Sequence, residues 1–329
     1  MSFSPKKILV TGGAGFIGSH ITDALLQNGH EVHVLDNLSS GRRENLPADV
    51  PLFVHDIRDA DSAALFATHR YDVLVHHAAQ LDVRASVADP EFDAQVNIGG
   101  FLHLLEAGRK HGLQKVIFAS TGGAVYGDPV YAPQDEQHPL TPLSPYGIAK
   151  LTAERYLYFY ERQYGLSTVC LRYANVYGPR QSATGEAGVV AIFTSLMLEG
   201  QSPVINGDGT QTRDYVYVGD VVRANLAALS HEGSDTFNVG TGRETSVNDL
   251  CSLLQAATGA PGKVRHGLAK PGEQQRSVLD ASLAETELHW TPKVSLSEGL
   301  SRTVDWFRSA RAAAHRAPAG RRLAERKSR

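Results

Sequence analysis

The feature that most constrains the fold is a glycine-rich stretch near the N-terminus, Thr11-Gly-Gly-Ala-Gly-Phe-Ile-Gly18. It follows an apolar run at Lys7–Thr11 that is typical of a buried strand, and it precedes a helical pattern over residues 17–28. Its glycines recur at every third position, at Gly12, Gly15 and Gly18. Glycine lets the backbone turn sharply and approach a pyrophosphate, and a helix N-terminus offers free N–H groups to the anion. The order of strand, loop and helix predicts a dinucleotide-binding unit.

Short apolar runs alternate with helical patterns through the first half of the chain. Strands are predicted at residues 7–11, 31–36, 52–55, 73–76, 116–120 and 168–172. Helices are predicted at residues 17–28, 60–69, 92–111 and 146–164. Such alternation indicates an α/β fold, a Rossmann-type doubly wound parallel sheet with helices on both faces.

The alternation of strand and helix patterns ends at about residue 178, where a loop-like segment rich in Gly and Ala begins. We therefore predict an NAD-binding Rossmann domain at residues 1–178 and a smaller C-terminal α/β lobe at 179–307, which binds the substrate at the carboxyl edge of the sheet. Whether residues 214–245 return to the first domain is left open. The basic segment 308–329 is predicted to be a disordered tail, with a helical extension or a polyanion contact as the alternatives.

Composition removes several classes of partner. The net charge of −3 gives no reason to expect a nucleic-acid partner. No apolar run reaches membrane-spanning length, so no membrane partner is expected. Cys170 and Cys251 lie in apolar stretches without metal-type spacing, which predicts core thiols, no metal site and a cytoplasmic location.

Acidic residues at strand ends indicate which dinucleotide binds. Asp36 ends the second predicted strand, where a carboxylate accepts hydrogen bonds from ribose hydroxyls and repels a 2′-phosphate, so NAD is favoured over NADP. Arg42 and Arg43 follow closely and keep NADP as a minor alternative. Asp56 and Ile57 follow the third strand and are candidates for the adenine edge, with a helix N-cap as the other interpretation of Asp56.

A tyrosine and a lysine supply candidate proton chemistry. Tyr146 and Lys150 stand four residues apart on a predicted helix, so their side chains share one face. A phenol has a pKa near ~10, too high for a base at neutral pH. A neighbouring ammonium favours the phenolate, so we expect Lys150 to lower the pKa of Tyr146 and make it a base for a sugar or alcohol hydroxyl.

These motifs together resemble a known superfamily. The glycine loop and Asp36-Asn-Leu are followed by His77-Ala-Ala-Gln80, Val96-Asn97-Ile, Ser120-Thr-Gly-Gly-Ala-Val-Tyr-Gly127, Tyr146-Gly-Ile-Ala-Lys150, Arg172-Tyr-Ala-Asn-Val-Tyr-Gly-Pro179, Arg213-Asp-Tyr-Val-Tyr-Val-Gly-Asp220 and Pro271-Gly-Glu273. From about residue 6 to residue 307 the chain resembles the extended short-chain dehydrogenase/reductases, and within them the nucleotide-sugar 4-epimerases of the UDP-glucose (UDP-galactose) 4-epimerase type.

The resemblance implies a reaction and a set of site residues. It implies that UDP-glucose and UDP-galactose interconvert through a 4-keto sugar, with Tyr146 as acid/base at the 4-hydroxyl and Lys150 on the nicotinamide ribose. NAD is expected to stay bound throughout. Further residues implied on the cofactor side are Phe16, Ile17, Asn37, Ala78, Ala79, Gln80, Asn97 and Tyr173. UDP-glucuronate 4-epimerase, a net NAD(P)-dependent nucleotide-sugar oxidoreductase and a non-catalytic cofactor-binding regulator remain alternatives.

One position departs from the family pattern. The family hydroxyl stands four residues before the Tyr of Val-Tyr-Gly, which here is Gly122. Thr121 is therefore the candidate hydroxyl for the sugar 4-oxygen, with the adjacent Ser120 as an alternative. In a purely structural interpretation, Thr121 instead hydrogen-bonds to its own backbone at the end of the strand. The related 4,6-dehydratases carry an Asp-Glu pair after the threonine, where this chain has Gly122 and Gly123, so epimerisation is favoured over dehydration.

The resemblance also implies how a UDP-sugar is held. Candidate substrate residues are Thr121, Gly122, Asn175, Val189, Arg213, Lys270, Glu273 and Arg276. Surface ion pairing is the alternative role for Lys270 and Arg276. Ser277 stands where some relatives have a bulky Tyr, which leads to the hypothesis that N-acetyl sugars are also substrates.

Two helices are expected to form a subunit interface. The predicted helices at 100–111 and 146–164 carry more apolar residues than one sheet face can cover. The family pairs these helices with their copies, so a homodimer is predicted.

Overall fold

The computed structural model describes residues 4–184, 188–260, 264–269 and 274–316. Its strands are β1 Lys7–Thr11, β2 Glu31–Leu35, β3 Leu52–Phe53, β4 Val73–His76, β5 Lys115–Thr121, β6 Ser167–Tyr173, β7 Asn175–Tyr177, β8 Val204–Asn206, β9 Thr212–Tyr217, β10 Asp235–Val239, β11 Glu244–Ser246, β12 Arg265–Gly267 and β13 Arg276–Ser277. Its helices are α1 Phe16–Gln27, α2 Ala60–His69, α3 Val83–Ala88, α4 Pro90–Ala94, α5 Phe101–Lys110, α6 Gly122–Val125, α7 Pro145–Tyr164, α8 Val189–Leu198, α9 Val218–Ser230, α10 Val247–Thr258, α11 Ser282–Leu288 and α12 Leu296–Arg316. The six predicted strands are all present, with ends that shift by one or two residues.

The large sheet has seven parallel strands in the order β10-β6-β5-β4-β1-β2-β3. The chain runs outward from β1 in one direction through β3, then returns to β4 on the other side of β1. The carboxyl ends of β1 and β4 therefore flank the crevice in which such sheets bind ligands. The predicted doubly wound α/β fold is confirmed.

Both faces of this sheet are buried. Ile8 and Val10 of β1 point into a core that is closed by α1 and α9, whereas Leu9 between them points into a second core closed by α2, α5 and α7. This alternation along one strand is what a sheet covered by helices on both faces requires. The predicted core thiols are confirmed, because Cys170 and Cys251 are both free and buried.

A smaller lobe follows, built on the second sheet formed by β7, β9, β11 and β13 and on helices α8, α10 and α12. Within residues 214–245, α9 packs on α1 and β10 joins the large sheet, while the end of β9 and the start of β11 lie in the small sheet. β7, which falls inside the predicted first domain, pairs with β9. Among the described residues, no helix is long and apolar enough to cross a membrane.

The single helix predicted at 92–111 is wrong in detail. α4 begins earlier, at Pro90, because the Asp89 carboxylate caps the backbone N–H of Phe92 at 3.0 Å. A π-helical segment, Gln95–Gly100, then separates α4 from α5. Hydrophobic periodicity cannot reveal the extra residue that a π turn inserts, and such segments recur at functional sites.

The prediction of a disordered tail is wrong for residues 308–316, which are helical, as the alternative interpretation expected. Residues 308–316 continue α12, and the Arg308 guanidinium donates to the carbonyl oxygens of Ala257 and Thr258 at 3.2 and 2.9 Å. Cations at the carboxyl end of a helix such as α10 are favourable because that end carries partial negative charge. Residues 317–329 lie outside the described part of the chain.

Candidate active site

The glycine loop forms a cradle at the end of β1. Gly12 has φ +66°, and a Cβ added there would lie 2.7 Å from the backbone nitrogen of Ala78. A Cβ at Gly18 would collide with the carbonyl group of Gly12. Phe16 and Ile17 open α1, whose N-cap residue Gly15 has no side chain to occupy the first-turn N–H groups. These residues fit a dinucleotide pyrophosphate.

Asp36 supports the loop from the end of β2. Its carboxylate is buried and accepts hydrogen bonds from the backbone N–H groups of Ala14 at 3.0 Å and Leu38 at 2.8 Å. Burial raises the pKa of Asp36, which these two hydrogen bonds partly oppose. The Arg43 guanidinium donates to the carbonyl oxygens of Pro47 and Ala48, so it is engaged within its own turn.

The residues after β3 are already hydrogen-bonded or packed. The Asp56 carboxylate accepts two hydrogen bonds from the Arg58 guanidinium, at 2.8 and 3.1 Å, and one from the Asn37 amide at 3.2 Å. The N-cap interpretation of Asp56 is wrong, because α2 begins at Ala60 and its N-cap residue is Asp59. Ile57 is 5% exposed and lies against the position of a Cβ at Gly100.

The loop after β4, which contains Ala78, Ala79 and Gln80, is anchored on the π-helical segment. The backbone N–H of Gln80 donates to Asn97 Oδ1 and the Asn97 amide donates to Gln80 O, both at 2.9 Å. Beside the loop, His77 Nε2 lies 3.1 Å from the Tyr173 hydroxyl, while the buried Nδ1 of His77 has no partner. Burial lowers the pKa of His77 to about 3, so the imidazole is neutral.

Tyr146 and Lys150 lie on one face of α7, as predicted. The Lys150 ammonium donates to the carbonyl oxygen of Ala119 at 2.8 Å and lies 5.8 Å from the centre of the Tyr146 ring. The Tyr146 hydroxyl has no hydrogen-bond partner among the described residues, so it is free to meet a ligand. α7 begins at Pro145 because the Ser144 hydroxyl caps the backbone N–H of Gly147 at 3.2 Å.

The prediction that the pKa of Tyr146 is lowered is wrong. Burial and the negative charge of Asp93 both raise the pKa of Tyr146 above its ordinary value. Burial also lowers the pKa of Lys150 to about 8. Desolvation is the largest cause of both shifts, and the Lys150 ammonium donates to Ala119 rather than to the phenol.

The carboxyl end of β5 explains the departure at Gly122. A Cβ at Gly122 would lie 2.5 Å from a methyl carbon of Leu279, which is fully buried, so a serine there would displace the leucine. The Ser120 hydroxyl donates to the Glu154 carboxylate at 2.5 Å. The Thr121 hydroxyl makes no cap bond and has no partner in the described part of the chain.

The comparisons with known proteins agree with this geometry. The sequence profile of the NAD dependent epimerase/dehydratase family matches residues 8–240. The UDP-glucose 4-epimerase of Mycolicibacterium smegmatis is 47% identical over 309 residues, covering 92% of this chain and 99% of its own. A crystal structure of a Thermotoga maritima UDP-glucose 4-epimerase with UDP-glucose is 51% identical with a TM-score of 0.91, covering 92% of this chain and 99% of its own. The Thermus thermophilus UDP-glucose 4-epimerase, solved with NAD, is 46% identical with a TM-score of 0.87 and the same coverage.

This chain belongs to the NAD dependent epimerase/dehydratase family. The resemblance to the UDP-glucose 4-epimerases of the extended short-chain dehydrogenase/reductases is thereby confirmed, and NAD is its cofactor.

The epimerase/dehydratase fold mounts part of the predicted substrate site on the small lobe. Asn175 is exposed at the start of β7, and Val189 begins α8. Arg213 lies on β9 in register with Ser277 of β13. Arg213 donates to the carbonyl oxygen of Thr212 at 2.7 Å. β7 and β13 both pair with β9, so Asn175 and Arg213 lie in one sheet.

Three predicted substrate residues have other outcomes. The Arg276 guanidinium forms an exposed ion pair with Glu244, with a nitrogen–oxygen distance of 2.5 Å, which is the alternative role the sequence left open. Lys270 and Glu273 lie outside the described residues.

Two groups of buried polar residues were missed. Glu154, one turn beyond Lys150, accepts hydrogen bonds from the Arg172 guanidinium at 3.0 and 2.6 Å, and Arg172 also donates to the Tyr126 hydroxyl at 2.9 Å. Asp93 on α4 is 1% exposed and bonded to two amides near the cofactor loop. An i, i+4 continuation from Lys150 to Glu154, and the same spacing from Asp93 to Asn97, were the signals in the sequence.

Proposed function

We propose that this chain is an NAD-dependent nucleotide-sugar 4-epimerase that interconverts UDP-glucose and UDP-galactose. The observation that carries the proposal is that the hydroxyl groups of Tyr146 and Thr121, at the carboxyl edge of a sheet whose first loop fits a dinucleotide, have no hydrogen-bond partner among the described residues. Close relatives with this name, one of them solved with UDP-glucose and one with NAD, support it.

The protein residues divide the work into binding, orientation and proton transfer. When bound, NAD supplies the chemistry that takes a hydride from the sugar and returns it. The glycine loop and the start of α1 bind the pyrophosphate, and Asp36 accepts hydrogen bonds from a ribose. Lys150, with a pKa of about 8, is an ammonium at neutral pH and holds the second ribose. The phenolate form of Tyr146 takes the proton from the sugar 4-hydroxyl and returns it when the hydride goes back to the sugar, so the sugar undergoes no net redox change.

Thr121, rather than Ser120, is proposed to hydrogen-bond the sugar 4-oxygen. Ser120 donates its proton to Glu154 inside the core, whereas the Thr121 hydroxyl has no partner among the described residues. Gly122 cannot supply the group, and neither Gly122 nor Gly123 carries the carboxylate that elimination of water needs. These residues favour epimerisation over dehydration.

Separating the sugar isomers tests the proposal. Purified protein is incubated with UDP-glucose, UDP-galactose or UDP-glucuronate, and the isomers are separated while absorbance near ~340 nm is followed. We expect the glucose and galactose forms to interconvert without growth of that absorbance. Stoichiometric growth of the band would indicate a net oxidoreductase, and turnover of UDP-glucuronate alone would indicate the rival epimerase.

N-acetyl sugars are proposed as further substrates. Ser277 is small, is 4% exposed and pairs in register with Arg213, so a bulky side chain is missing at a position beside the proposed diphosphate contact. We expect turnover of UDP-N-acetylgalactosamine, and a loss of roughly tenfold or more on this substrate relative to UDP-galactose in Ser277→Tyr. The rate of the same variant on UDP-galactose is the control. Wild-type protein that is inactive on the N-acetyl sugar would contradict the hypothesis.

A homodimer is proposed to form across α5 and α7. Inward-facing residues of these helices are buried, but Tyr156, Tyr158, Phe159 and Tyr164 of α7 remain 38–63% exposed. Arg109 of α5 stacks on Tyr164, with its guanidinium carbon 4.6 Å from the ring centre, so the two helices form a continuous surface. We expect a dimeric mass in sedimentation at micromolar concentration.

A charged substitution on this surface tests whether α5 and α7 form the dimer interface. Phe159→Arg is expected to yield monomers because it places a cation on the proposed interface. Val54→Arg, at an exposed apolar residue on the far edge of the sheet, is the matched control and is expected to remain dimeric. A monomeric wild-type protein would overturn the proposed assembly.

The cytoplasm is the proposed location. Both cysteines are free and buried, as expected for a reducing compartment, and the net charge of −3 gives no reason to expect nucleic acid as a partner. A fluorescent fusion followed in cell fractions tests the location.

A further inference from the structure

A buried carboxylate on α4, a helix that packs against α7 and its proposed proton-transfer residues, has no role in the function described so far. Asp93 on α4 is 1% exposed. Its Oδ1 accepts hydrogen bonds from the Gln80 amide at 3.0 Å and from the Asn97 amide at 2.9 Å. Its Oδ2 is buried and has no hydrogen-bond partner in the described part of the chain. An unpaired buried carboxylate oxygen is costly, so its retention calls for a physical reason.

The surroundings of Asp93 are fixed by three elements. Its own α4 packs on α7, which carries Tyr146 and Lys150, and on the π-helical segment, which carries Asn97. The Gln80 and Asn97 amides are uncharged. The Asn97 side chain is also hydrogen-bonded to the backbone of Gln80, and the Gln80 amide donates to the carbonyl oxygen of Asp82 at 2.9 Å, so the two amides hold the carboxylate in one orientation. α3 contributes the Ser86 hydroxyl, which accepts from the backbone N–H of Tyr146 at 3.3 Å.

The titratable groups that interact with Asp93 are few. Lys150 attracts its charge and Tyr146 is repelled by it, both from α7. Lys150 in turn is influenced by Glu154 one helical turn away, and its own charge acts on His76 and His77 at the end of β4. Both histidines are kept neutral by burial, so Asp93 and Glu154 are the two anions acting on Lys150.

We propose that Asp93 is a positioning residue of the proton-transfer site, whose fixed carboxylate sets the charge on Lys150 and Tyr146 during the reaction. The proposal rests on the function proposed above, and it assigns Asp93 no contact with substrate. Gln80 and Asn97 acquire a second task, since they aim the carboxylate as well as shaping the cofactor loop.

The sign of the effect follows from the charge. An anion favours the ammonium and disfavours the phenolate, so Asp93 raises the pKa of both Lys150 and Tyr146. Removing the charge lowers both. Consider a reaction that needs the phenolate of Tyr146 and the ammonium of Lys150. On the acid side of its optimum more phenolate is then present and the rate rises, whereas on the alkaline side less ammonium is present and the rate falls.

Asp93→Asn isolates the charge. Asparagine keeps an oxygen for the Gln80 and Asn97 amides and replaces only the unpartnered Oδ2. We expect both limbs of the pH profile of kcat to move to lower pH, so that the rate above the wild-type optimum falls while the rate below it rises, and the ratio of the two rates changes by roughly tenfold. Asp89→Asn removes the same charge from the exposed N-cap of α4 and is the matched control, with unmoved limbs.

A second readout does not depend on turnover. With lysine labelled with ¹³C at Cε, the Lys150 signal of the NAD-loaded protein is assigned by its loss in Lys150→Arg and followed through a pH titration. We expect the midpoint to be lower in Asp93→Asn than in the wild type and to be unchanged in Asp89→Asn. Asp93→Ser, which also offers the amides an oxygen, carries the test if Asp93→Asn unfolds.

The outcomes separate the two proposals. A Lys150 midpoint and pH limbs that are unmoved in the folded Asp93 variants would overturn the role of Asp93, even if the protein epimerises UDP-sugars. A shifted midpoint in a protein with no activity on any UDP-sugar would support the electrostatic role of Asp93 and contradict the proposed function.

Discussion

Tyr146→Phe is expected to reduce turnover of UDP-galactose by roughly 10²- to 10⁴-fold while leaving the fold and NAD binding intact. The substitution removes one hydroxyl that has no hydrogen-bond partner among the described residues, so no buried partner is left unsatisfied. The ring, its packing beside Lys150 and the N-terminal cap of α7 all remain. The loss therefore measures proton transfer at the sugar 4-hydroxyl. Isomer separation gives the rate, and co-purified NAD together with circular dichroism gives the integrity of the site.

Tyr158→Phe is the matched control for this substitution. Tyr158 lies on the same helix but is 63% exposed, and Phe keeps the ring that it offers to the proposed dimer surface, so the loss of its hydroxyl should leave the rate unchanged. A Tyr146→Phe protein that retains turnover within tenfold of the wild type would refute Tyr146 as the acid/base. Unfolding of the variant would instead show that the hydroxyl has a structural partner.

Glu154→Ala is expected to be the most destabilising single change at the site, lowering the free energy of unfolding by about 3–5 kcal/mol. The ion pair between Glu154 and Arg172 has a nitrogen–oxygen distance of 2.6 Å, and the two side chains are only 6% and 5% exposed. Removing the carboxylate leaves the Arg172 guanidinium buried without its charged partner. It also removes the acceptor of the Ser120 hydroxyl. Chemical or thermal unfolding of the NAD-free protein measures the loss.

Glu298→Ala provides the comparison for an exposed ion pair. Glu298 and Arg302 form a pair on α12 with side chains that are 50% and 52% exposed, and such pairs contribute only ~0–1 kcal/mol. The double change Glu154→Leu with Arg172→Met should recover much of the loss, because it removes both buried charges together. If Glu154→Ala cost no more than Glu298→Ala, the buried pair would not stabilise the fold.

The parallel sheet could be predicted because its signals are local. Apolar runs such as Val73–His76 are buried on both faces and therefore stand out without any alternation, and glycine turns mark where strands end. β10 was missed because only one side of Asp235–Val239 pairs with the sheet, at its edge, and its partner β6 is more than sixty residues away in sequence. The π segment within the helix predicted at 92–111 was missed because one inserted residue hardly changes the apolar periodicity of a helix.

The candidate site divides in the same way. Tyr146, Lys150 and the glycine loop occur in short motifs whose spacing alone places them on one helix face or one turn. The proposed choice of Thr121 over Ser120 depends on Glu154, which reaches Ser120 from another element. The cause of the glycine at position 122 is Leu279, which is distant in sequence but packs against it.

The sequence by itself determined the fold class, the cofactor loop and the proton-transfer pair, because each rests on dihedral preferences and periodicities within a few residues. Only the tertiary structure decided the electrostatics of that pair. The pKa of Tyr146 is raised rather than lowered because burial removes the water that would stabilise a phenolate and because α4 brings Asp93 into range. Desolvation and long-range charge depend on what packs around a group, and no spacing within a helix encodes them.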